Sequence, residues 1–580
     1  MPDSLLEALE IIKQYSQNDE TNVFRCGFFC GSTPLSLKSM VHANLCVALK
    51  DRRVELSEGM YGDLLGSLLR ELTEGVSLDC IIVVIEWEDL DPRLGLRAQA
   101  GWLSPYEDML SSFRSKCALF LRYLKALAER MPVVVSLPSL PLLPLHFSVR
   151  RQANDWKAGI KKEIALFAME LVAVSTIRML DVDILSEEAS FFDRYSAESD
   201  LAYGFPYTLD FAIIFARHLA ALAVPPRPLK GIIVDLDDTL WKGILGEDGA
   251  EGVTWDLEHG SHMHGVFQLF LQSLAKTGVL IAVASKNDPV RVEELFKKRS
   301  MLLERNAFFP LMAGWEVKSH SVQKILLMWN VHADAVAFVD DSPLEVEEVR
   351  KGVPELRCFL FPKQKPGAIL KLIFELRDLF GKEFVSHEDA LRLESIKHGA
   401  EITEQLASSE EGYEDFLREI KPKLTLFNQA GVFDKRAFEL INKTNQFNMN
   451  GLRCSEHEWK TVVERESGFV FVASYEDKFG PLGKIAVIAG HCDKKRFVVT
   501  HWVMSCRAFG RRIEYCMLAF LFKKLSIEKV CFHYIPTDRN GPFKEFLTTL
   551  ECSEKNSWDI QRDIFMERAP ILYHDVEEEI

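Results

Sequence analysis

Two aspartates at the end of an apolar run are the residues of this sequence best suited to chemistry. The run Gly231-Ile-Ile-Val is followed by Asp235 and Asp237, spaced i, i+2, and then by Thr239. Such a run predicts a strand buried on both faces of a parallel sheet, where ligands bind at the carboxyl edge. One carboxylate can attack while its neighbour handles protons, so the pair predicts covalent phosphoryl transfer. Taken alone, the string also fits an acidic loop after a core strand.

Two later segments place further polar groups after predicted strands. The strand 279–284 runs into Ser285 and Lys286, and the serine hydroxyl suits a hydrogen bond to a phosphoryl oxygen. A helix N-cap is the alternative for this serine. Lys318 follows the strand-like segment 308–313 and can offset the charges of phosphate and aspartate.

An acidic pair follows a fourth predicted strand. Residues 335–339 run into Asp340 and Asp341. Adjacent carboxylates repel each other unless a cation lies between them, so the pair predicts a hard cation, Mg²⁺. Three further histidines, His259, His262 and His264, are expected to lie in a solvated flap loop. The alternative for them is a metal site.

The order of these four clusters resembles the haloacid-dehalogenase-like (HAD) phosphohydrolase superfamily. The resemblance implies that Asp235 forms an aspartyl-phosphate, and that Asp237 protonates the leaving group and then activates water. The groups implied to bind phosphate are Thr239, Ser285, Lys286 and Lys318. The groups implied to hold Mg²⁺ are Asp235, the backbone carbonyl of Asp237, Asp340 and Asp341, with Asp340 preferred over Asp341 as direct ligand. The stretch between Thr239 and Ser285 is too short for a large cap domain, which predicts a capless, open site.

Bulk properties bound the class of protein. A chain of 580 residues is too long for one core and predicts several domains. The net charge of -16 argues against a protein that generally binds nucleic acid or anionic membranes. No signal peptide or membrane-spanning run is evident, and the 12 cysteines contain no C-x-x-C pair. We therefore expect a cytoplasmic α/β multidomain enzyme with reduced thiols.

Strand and helix patterns divide the chain into four regions. Residues 1–228 predict an α/β domain, 229–365 the phosphatase-like domain, 366–417 a helical connector and 418–580 a further domain. In the first region, Ser32 after the strand 23–30 raises the alternative of a serine hydrolase. No Asp-x-x-His base follows, and His218 lies in a predicted helix, so a domain without hydrolase chemistry is expected.

The C-terminal region resembles an N-acetyltransferase-like (GNAT) α+β fold. Its strands and helices alternate in that order, and a strand runs into the loop Arg507-Ala-Phe-Gly510-Arg511-Arg512. In that fold the loop amides bind the pyrophosphate of coenzyme A at a helix N-terminus. Arg512 stands where a small residue is usual, and its charge suits an acidic carrier protein.

The whole chain resembles the FkbH-like family. The segments that carry this resemblance are 235–249, Ser285-Lys-Asn-Asp, Thr444-Asn-Gln-Phe-Asn448, 477–483 and Ser505–Arg511. Members join a subfamily IIIC HAD phosphatase to a GNAT-like domain, often behind an SGNH-like N-terminal domain. Departures are Asp238 and Ser342 in place of asparagine and Arg512 in place of glycine.

The family implies a glyceryl transferase/phosphatase of polyketide biosynthesis. A glyceryl group from 1,3-bisphosphoglycerate is held as a protein thioester, dephosphorylated, and passed to the phosphopantetheine thiol of an acyl carrier protein. Cys506 is the candidate thiol because neighbouring arginines favour the thiolate, and its alternative is a buried core thiol. The candidates for carrier or acyl binding are Arg507, Gly510, Arg511 and Asn540, and the candidate bases are His501 and His533. The alternatives are a Mg²⁺-dependent phosphatase acting on another acyl group and a non-catalytic carrier-protein scaffold.

Overall fold

The computed structural model divides into two compact units, Met1–Pro226 and Arg227–Ile580. The residues that the structure describes are 2–16, 22–50, 52–75, 77–97, 106–140, 142, 151–382, 385, 389, 393–394, 396–397, 410–465, 468–505, 508–537, 539–552 and 558–579. Across them, no helix has the length and apolar character needed to cross a membrane.

The first unit is a parallel sheet with helices around it. Its strands are β1 (Val23–Cys30), β2 (Arg53–Glu58), β3 (Cys80–Val84), β4 (Val133–Ser136) and β5 (Ile177–Met179), in the order β2-β1-β3-β4-β5. Its helices are α1 (Leu5–Tyr15), α2 (Leu35–Ala48), α3 (Leu64–Glu74), α4 (Trp87–Leu90), α5 (Tyr106–Ala128), α6 (Asp155–Val172), α7 (Val182–Glu188), α8 (Phe191–Arg194), α9 (Ala197–Tyr203) and α10 (Leu209–Ala223). The central strands β3 and β4 are buried along their whole length, which explains their unbroken apolar sequences.

The second unit begins with another five-stranded parallel sheet. Its strands are β6 (Gly231–Val234), β7 (Leu280–Ser285), β8 (Phe308–Ala313), β9 (Val336–Asp340) and β10 (Arg357–Leu360), in the order β10-β9-β6-β7-β8. Its helices are α11 (Leu245–Gly252), α12 (His262–Lys276), α13 (Pro289–Lys298), α14 (Lys318–Trp329), α15 (Pro343–Gly352) and α16 (Pro366–Phe380). Separate apolar clusters cover the two faces of this sheet, and β6 lies at its centre. The prediction of a multidomain α/β protein is confirmed.

The structure differs from two predictions for this region. Helix α16 packs on the sheet through Ile369, Leu376 and Phe380, so the layer extends beyond the expected boundary at residue 365. His262 and His264 lie in α12, and His264 is only 3% exposed, so the expectation of a solvated flap loop is wrong for these two. The imidazole of His264 instead packs against Phe361.

The remainder of the second unit is a mixed sheet. Its strands are β11 (Lys423–Asn428), β12 (Phe447–Asn448), β13 (Gly468–Asp477), β14 (Gly480–Asp493), β15 (Arg496–Met504), β16 (Lys529–Phe532), β17 (Asp559–Gln561) and β18 (Asp575–Glu579). The helices are α17 (Glu410–Glu419), α18 (Lys435–Lys443), α19 (Glu456–Val463), α20 (Ile513–Lys524), α21 (Gly541–Thr549) and α22 (Arg562–Arg568). The path is β17-β16-β15-β14-β13-β11-β18, with β12 paired to β15. Strands β13, β14 and β15 pair antiparallel, whereas β15 and β16 pair parallel.

Candidate active site

Three polar side chains meet at the carboxyl edge of the second unit's parallel sheet. Asp235 directly follows β6, and its amide still donates to Val339 O of β9 at 3.0 Å. Ser285 is the last residue of β7 and Asp340 the last of β9. Because β7 and β9 flank β6, parallel pairing brings these strand ends together.

A buried lysine joins the carboxylates. Lys318 opens α14 and its side chain is 2% exposed. Its Nζ lies 2.8 Å from Asp235 Oδ1, 2.5 Å from Asp340 Oδ2 and 2.5 Å from Glu345 Oε2. The structure thus places Lys318 beside the predicted nucleophile and the predicted metal ligand at once. A buried ammonium requires such partners, because an unpaired charge in the protein interior costs several kcal/mol.

The pKa values of this cluster follow from burial and pairing. Burial disfavours the charged ammonium of Lys318, but Asp235 and Asp340 outweigh it and raise the pKa of Lys318. Burial, together with repulsion from Asp235, raises the pKa of Asp340 to about 7. Burial also raises the pKa of Asp235, although Lys318 and the Ser285 hydroxyl oppose that shift. Three carboxyl groups contact Lys318, so in their ionised forms they carry more negative charge than this lysine neutralises.

Three carboxylates are arranged to share a cation. Oxygen atoms of Asp235, Asp340 and Asp341 all lie within 4.8 Å of one another. Asp235 and Asp340 are buried and Asp341 is partly buried. An all-oxygen donor set with excess negative charge fits a hard divalent cation. The Asp237 side chain lies outside this set.

Asp237 is oriented by three donors. Its Oδ1 accepts hydrogen bonds from Trp241 Nε1 at 2.9 Å and Leu245 N at 3.0 Å, and its Oδ2 accepts from Asn287 Nδ2 at 2.9 Å. Burial raises the pKa of Asp237, and these donors limit the rise. The carboxyl is held in one orientation, with a pKa displaced in the direction that suits a proton-transfer group.

The other predicted phosphate ligands have different surroundings. Thr239 is fully buried, and within the described residues its hydroxyl has no hydrogen-bond partner. Its carbonyl contacts His264 Nδ1 at 2.9 Å. Lys286 is half-exposed, and its Nζ lies 2.9 Å from Glu345 Oε1. The lysine therefore stands at the rim, where Glu345 links it to Lys318.

Sequence analysis missed Glu345, Asn287 and Lys363. Glu345 lies in the first turn of α15, directly after the acidic pair, and Asn287 follows Ser285 by two residues. Their closeness to predicted site residues was the available signal. Lys363 had no such signal, yet its Nζ lies 2.7 Å from both Asp238 Oδ2 and Asp341 Oδ2.

The loop predicted to bind a carrier or acyl group differs from expectation. Arg511 is 1% exposed, and its Nε donates to Asp477 Oδ2 at 3.2 Å, so it stabilises the loop and offers no surface to a carrier. Arg512 has φ 57°, a left-handed conformation that glycine adopts without strain. Its guanidinium pairs with Glu414 and does not present an unpaired charge to a carrier. Gly510 also has a positive φ, 73°.

Asn540 is a structural residue. It is 1% exposed, its Nδ2 donates to Asn448 O at 3.1 Å and to Ile535 O at 2.8 Å, and its Oδ1 accepts from Thr537 N at 2.8 Å. These bonds tie the 536–540 segment to the Thr444–Asn448 segment. The expected carrier or acyl contact therefore does not fit this side chain.

The candidate thiol Cys506 and its neighbour Arg507 lie outside the described residues. A different thiol has a histidine beside it: Cys454 Sγ lies 3.3 Å from His501 Nε2. His501 is on β15, and Cys454 lies in the segment before α19. His533, the other candidate base, is exposed. The pair Cys454–His501 is the arrangement in which an imidazole can accept a thiol proton.

A cavity in the first unit lies at the carboxyl edge of its own sheet. Its volume is about 270 Å³, and its lining includes Ser32, Glu86, Asp89, Arg97 and Asp200. Glu86 accepts hydrogen bonds from Ser139, Leu140 and Tyr207. Among the described residues, no histidine lines this cavity.

The chain is similar to proteins of known structure. No protein-family model and no curated protein sequence matches the chain. Among solved structures, it is similar to the crystal structure of the N-terminal part of protein BF1531 from Bacteroides fragilis, described as containing a phosphatase domain complexed with Mg. The similarity covers 65% of this chain and 99% of that chain, with a TM-score of 0.53 and 19% identity. An uncharacterized protein from Corynebacterium glutamicum covers 27% of this chain and 98% of its own at 18% identity, but its TM-score of 0.19 carries no argument.

Proposed function

We propose that this chain is a Mg²⁺-dependent phosphatase of the HAD type, with Asp235 as nucleophile. The observation that carries the proposal is Lys318 Nζ, which contacts Asp235 and Asp340 at the ends of adjacent parallel strands. The Mg complex of the structurally similar protein and the acidic set Asp235, Asp340 and Asp341 support the choice of cation. Bound there, Mg²⁺ would neutralise phosphoryl and carboxylate charge.

The protein groups divide the reaction into two steps. The Asp235 carboxylate attacks phosphorus, the bond from phosphorus to the leaving oxygen breaks, and Asp237 gives that oxygen its proton. Asp237 then takes a proton from water, which attacks the aspartyl-phosphate and releases phosphate with Asp235 restored. Lys318 and Ser285 hold the phosphoryl oxygens, so positioning and charge neutralisation supply most of the catalysis.

Phosphate release from p-nitrophenyl phosphate tests this proposal. Asp235→Asn should lower the Mg²⁺-dependent rate by about a thousandfold or more, since the nucleophile is lost. Glu294→Gln, on an exposed part of α13, is the matched control and should keep the wild-type rate. Mg²⁺-dependent release that survives Asp235→Asn would remove the nucleophile assignment.

We further propose that the chain transfers a glyceryl group to an acyl carrier protein. A protein thiolate attacks the acyl-phosphate carbon of 1,3-bisphosphoglycerate, and that carbon loses its bond to the phosphate oxygen. Asp235 then removes the second phosphate, and the carrier's phosphopantetheine thiol displaces the protein thiol. The Cys454–His501 pair supports such chemistry, because the neutral imidazole can accept the thiol proton.

Intact-protein mass spectrometry tests the transfer. Wild type, Cys454→Ala and Cys506→Ala are each incubated with 1,3-bisphosphoglycerate and Mg²⁺, and then with a holo carrier protein. A glyceryl adduct that is missing from one variant and passes from the others to the carrier supports the transfer and identifies the thiol. Phosphate release without any adduct would leave the phosphatase with a different acyl group or none.

A further inference from the structure

Two arginines of the second unit share one neutral acceptor atom. Arg453 Nη2 donates to Asn445 Oδ1 at 2.5 Å, and Arg227 Nη1 donates to the same oxygen at 3.1 Å. Arg453 follows β12, and Arg227 precedes β6. Two like charges are therefore brought together at a side chain that carries no charge.

A third arginine adds to this positive charge. Arg539 lies near enough that its charge lowers the pKa of both Arg227 and Arg453. Its own Nη2 pairs with Asp334 Oδ2 at 2.8 Å. In the described part of the chain, no carboxylate lies within ion-pair distance of Arg227 or Arg453. Among the described residues, the arginine cluster, meaning Arg227, Arg453 and Arg539, thus holds three positive charges against the one carboxylate of Asp334.

Partial burial makes the position of Arg453 costly without a ligand. Burial, together with Arg227 and Arg539, lowers the pKa of Arg453 to about 9. A bound anion would offset the cost of burial and the repulsion between the arginines, because each guanidinium gains an opposite charge at short distance.

Arg453 is anchored by the backbone around it. Arg453 Nη1 donates to Ile441 O at 2.6 Å, which anchors the side chain at the last turns of α18. Asn540 binds the carbonyl of Asn448 and closes the neighbouring loop. A preorganised set of donors loses little entropy when it binds a ligand.

We propose that the arginine cluster binds a phosphate monoester. Arginine presents planar pairs of donors that match phosphate oxygens, and a dianion would balance Arg227 and Arg453, which pair with no carboxylate of the described residues. The group comes either from a free phosphorylated metabolite or from the phosphate of a phosphopantetheine arm. The cluster shares no residue with the Asp235 site, so this inference goes beyond the proposed phosphatase.

Isothermal titration in EDTA separates this site from the phosphatase site. Without a divalent cation, the carboxylates around Asp235 repel phosphate, whereas the arginine cluster needs no metal. The probes are inorganic phosphate, phosphopantetheine and pantetheine, which lacks the phosphate. Wild-type protein should bind at least one phosphate-bearing probe saturably, and pantetheine should bind at least about tenfold more weakly than phosphopantetheine.

Paired variants locate the binding. Arg453→Gln and Arg227→Gln should each raise the Kd by at least about tenfold, and Arg227 is exposed enough that its variant should fold normally. Arg562→Gln, an exposed arginine of α22, is the matched control for lost charge and should leave the Kd unchanged. Equal Kd values for phosphate and phosphopantetheine would assign a free phosphorylated metabolite, and tighter phosphopantetheine binding would assign the arm.

Two results would overturn the inference. One is that neither inorganic phosphate nor phosphopantetheine binds in EDTA. The other is that a phosphate-bearing probe binds with a Kd that both Arg227→Gln and Arg453→Gln leave unchanged. Neither result would bear on Asp235, whose role is read from Mg²⁺-dependent phosphate release.

Discussion

Lys363 Nζ lies 2.7 Å from Asp341 Oδ2, so a lysine contacts one of the three carboxylates that are placed to hold a cation. The same nitrogen lies 2.7 Å from Asp238 Oδ2. Burial disfavours the charged lysine, but hydrogen bonds to Asp238 and Asp341 prevail and raise the pKa of Lys363. The lysine and a divalent cation would therefore compete for the Asp341 carboxylate.

Lys363→Met should lower the Mg²⁺ concentration needed for half-maximal phosphate release by about three- to tenfold, because a competing positive charge is removed. The measurement is a Mg²⁺ titration at saturating substrate. Lys351→Met, at an exposed position of α15, is the control for removing a lysine and should leave the titration unchanged. A higher Mg²⁺ requirement in Lys363→Met would show that the lysine assists the cation.

Asn287→Ala should move the pH dependence of kcat to higher pH. Asn287 donates to Asp237 and favours its carboxylate form, so losing this bond raises the pKa of Asp237 beyond the rise caused by burial. We also expect kcat to fall by about tenfold, since one of three orienting bonds is lost. Rate profiles for wild type and variant check this, and a profile that stays in place would mean that Asp237 does not limit the measured step.

The sequence was sufficient to predict the groups at the strand ends. The residues of β6, β7 and β9 that precede Asp235, Ser285 and Asp340 are apolar and buried, so the first polar residue after each run marks the carboxyl edge of the sheet. Because β6 pairs parallel with β7 and β9, Asp235, Ser285 and Asp340 lie close together at this edge. Lys318 was found because it follows β8, the next strand along the sheet.

Contacts that depend on three-dimensional packing were not predictable in this way. Cys454 and His501 are 47 residues apart, and their spacing carries no signal. A motif also does not show whether its arginine is exposed, which is why Arg511 was assigned to carrier binding although it is buried against Asp477. Lys363 reaches Asp238 across 125 residues of sequence.

Gly231→Ala should destabilise the phosphatase-like region. A Cβ at Gly231 would lie 2.4 Å from Cζ3 of Trp329, a residue that is 1% exposed and hydrogen-bonded to Phe309 O. Overpacking of a core in this way costs about 1–3 kcal/mol. Thermal unfolding measures the loss. Gly367→Ala in α16 is the control: its Cβ would meet nothing within 4 Å, so Tm should be unchanged or slightly higher.

Glu514→Gln should stabilise the protein at pH 8 more than at pH 5.5. Burial raises the pKa of Glu514 to about 7 from an ordinary value of 4.5, and its Oε2 has no hydrogen-bond partner among the described residues. The folded state therefore binds this proton more tightly than the unfolded state, and stability falls as pH rises from about 4.5 to 7. The variant should remove about 1–3 kcal/mol of this pH dependence, measured from Tm at both pH values. An identical pH dependence in wild type and variant would contradict the raised pKa.

His501 should control the reactivity of Cys454. Thr500 Oγ1 donates to Ala489 O at 3.2 Å and lies 3.1 Å from His501 Nδ1, so it accepts the proton of that nitrogen. This tautomer leaves Nε2, 3.3 Å from Cys454 Sγ, as an acceptor for the thiol proton. Burial lowers the pKa of His501 to about 4, so the imidazole is neutral at pH 7 and acts on the thiol as a hydrogen-bond acceptor of low basicity.

We expect His501→Phe, which keeps an aromatic ring beside Trp459, to slow alkylation of Cys454 by iodoacetamide by about five- to tenfold. Peptide mapping by mass spectrometry gives the rate at each cysteine, and the partly exposed Cys492 serves as an internal control whose rate should not change. Equal slowing at Cys492 would indicate a general loss of structure. An unchanged rate at Cys454 alone would show that the imidazole does not accept the thiol proton, and the thioester would then have to be sought at Cys506.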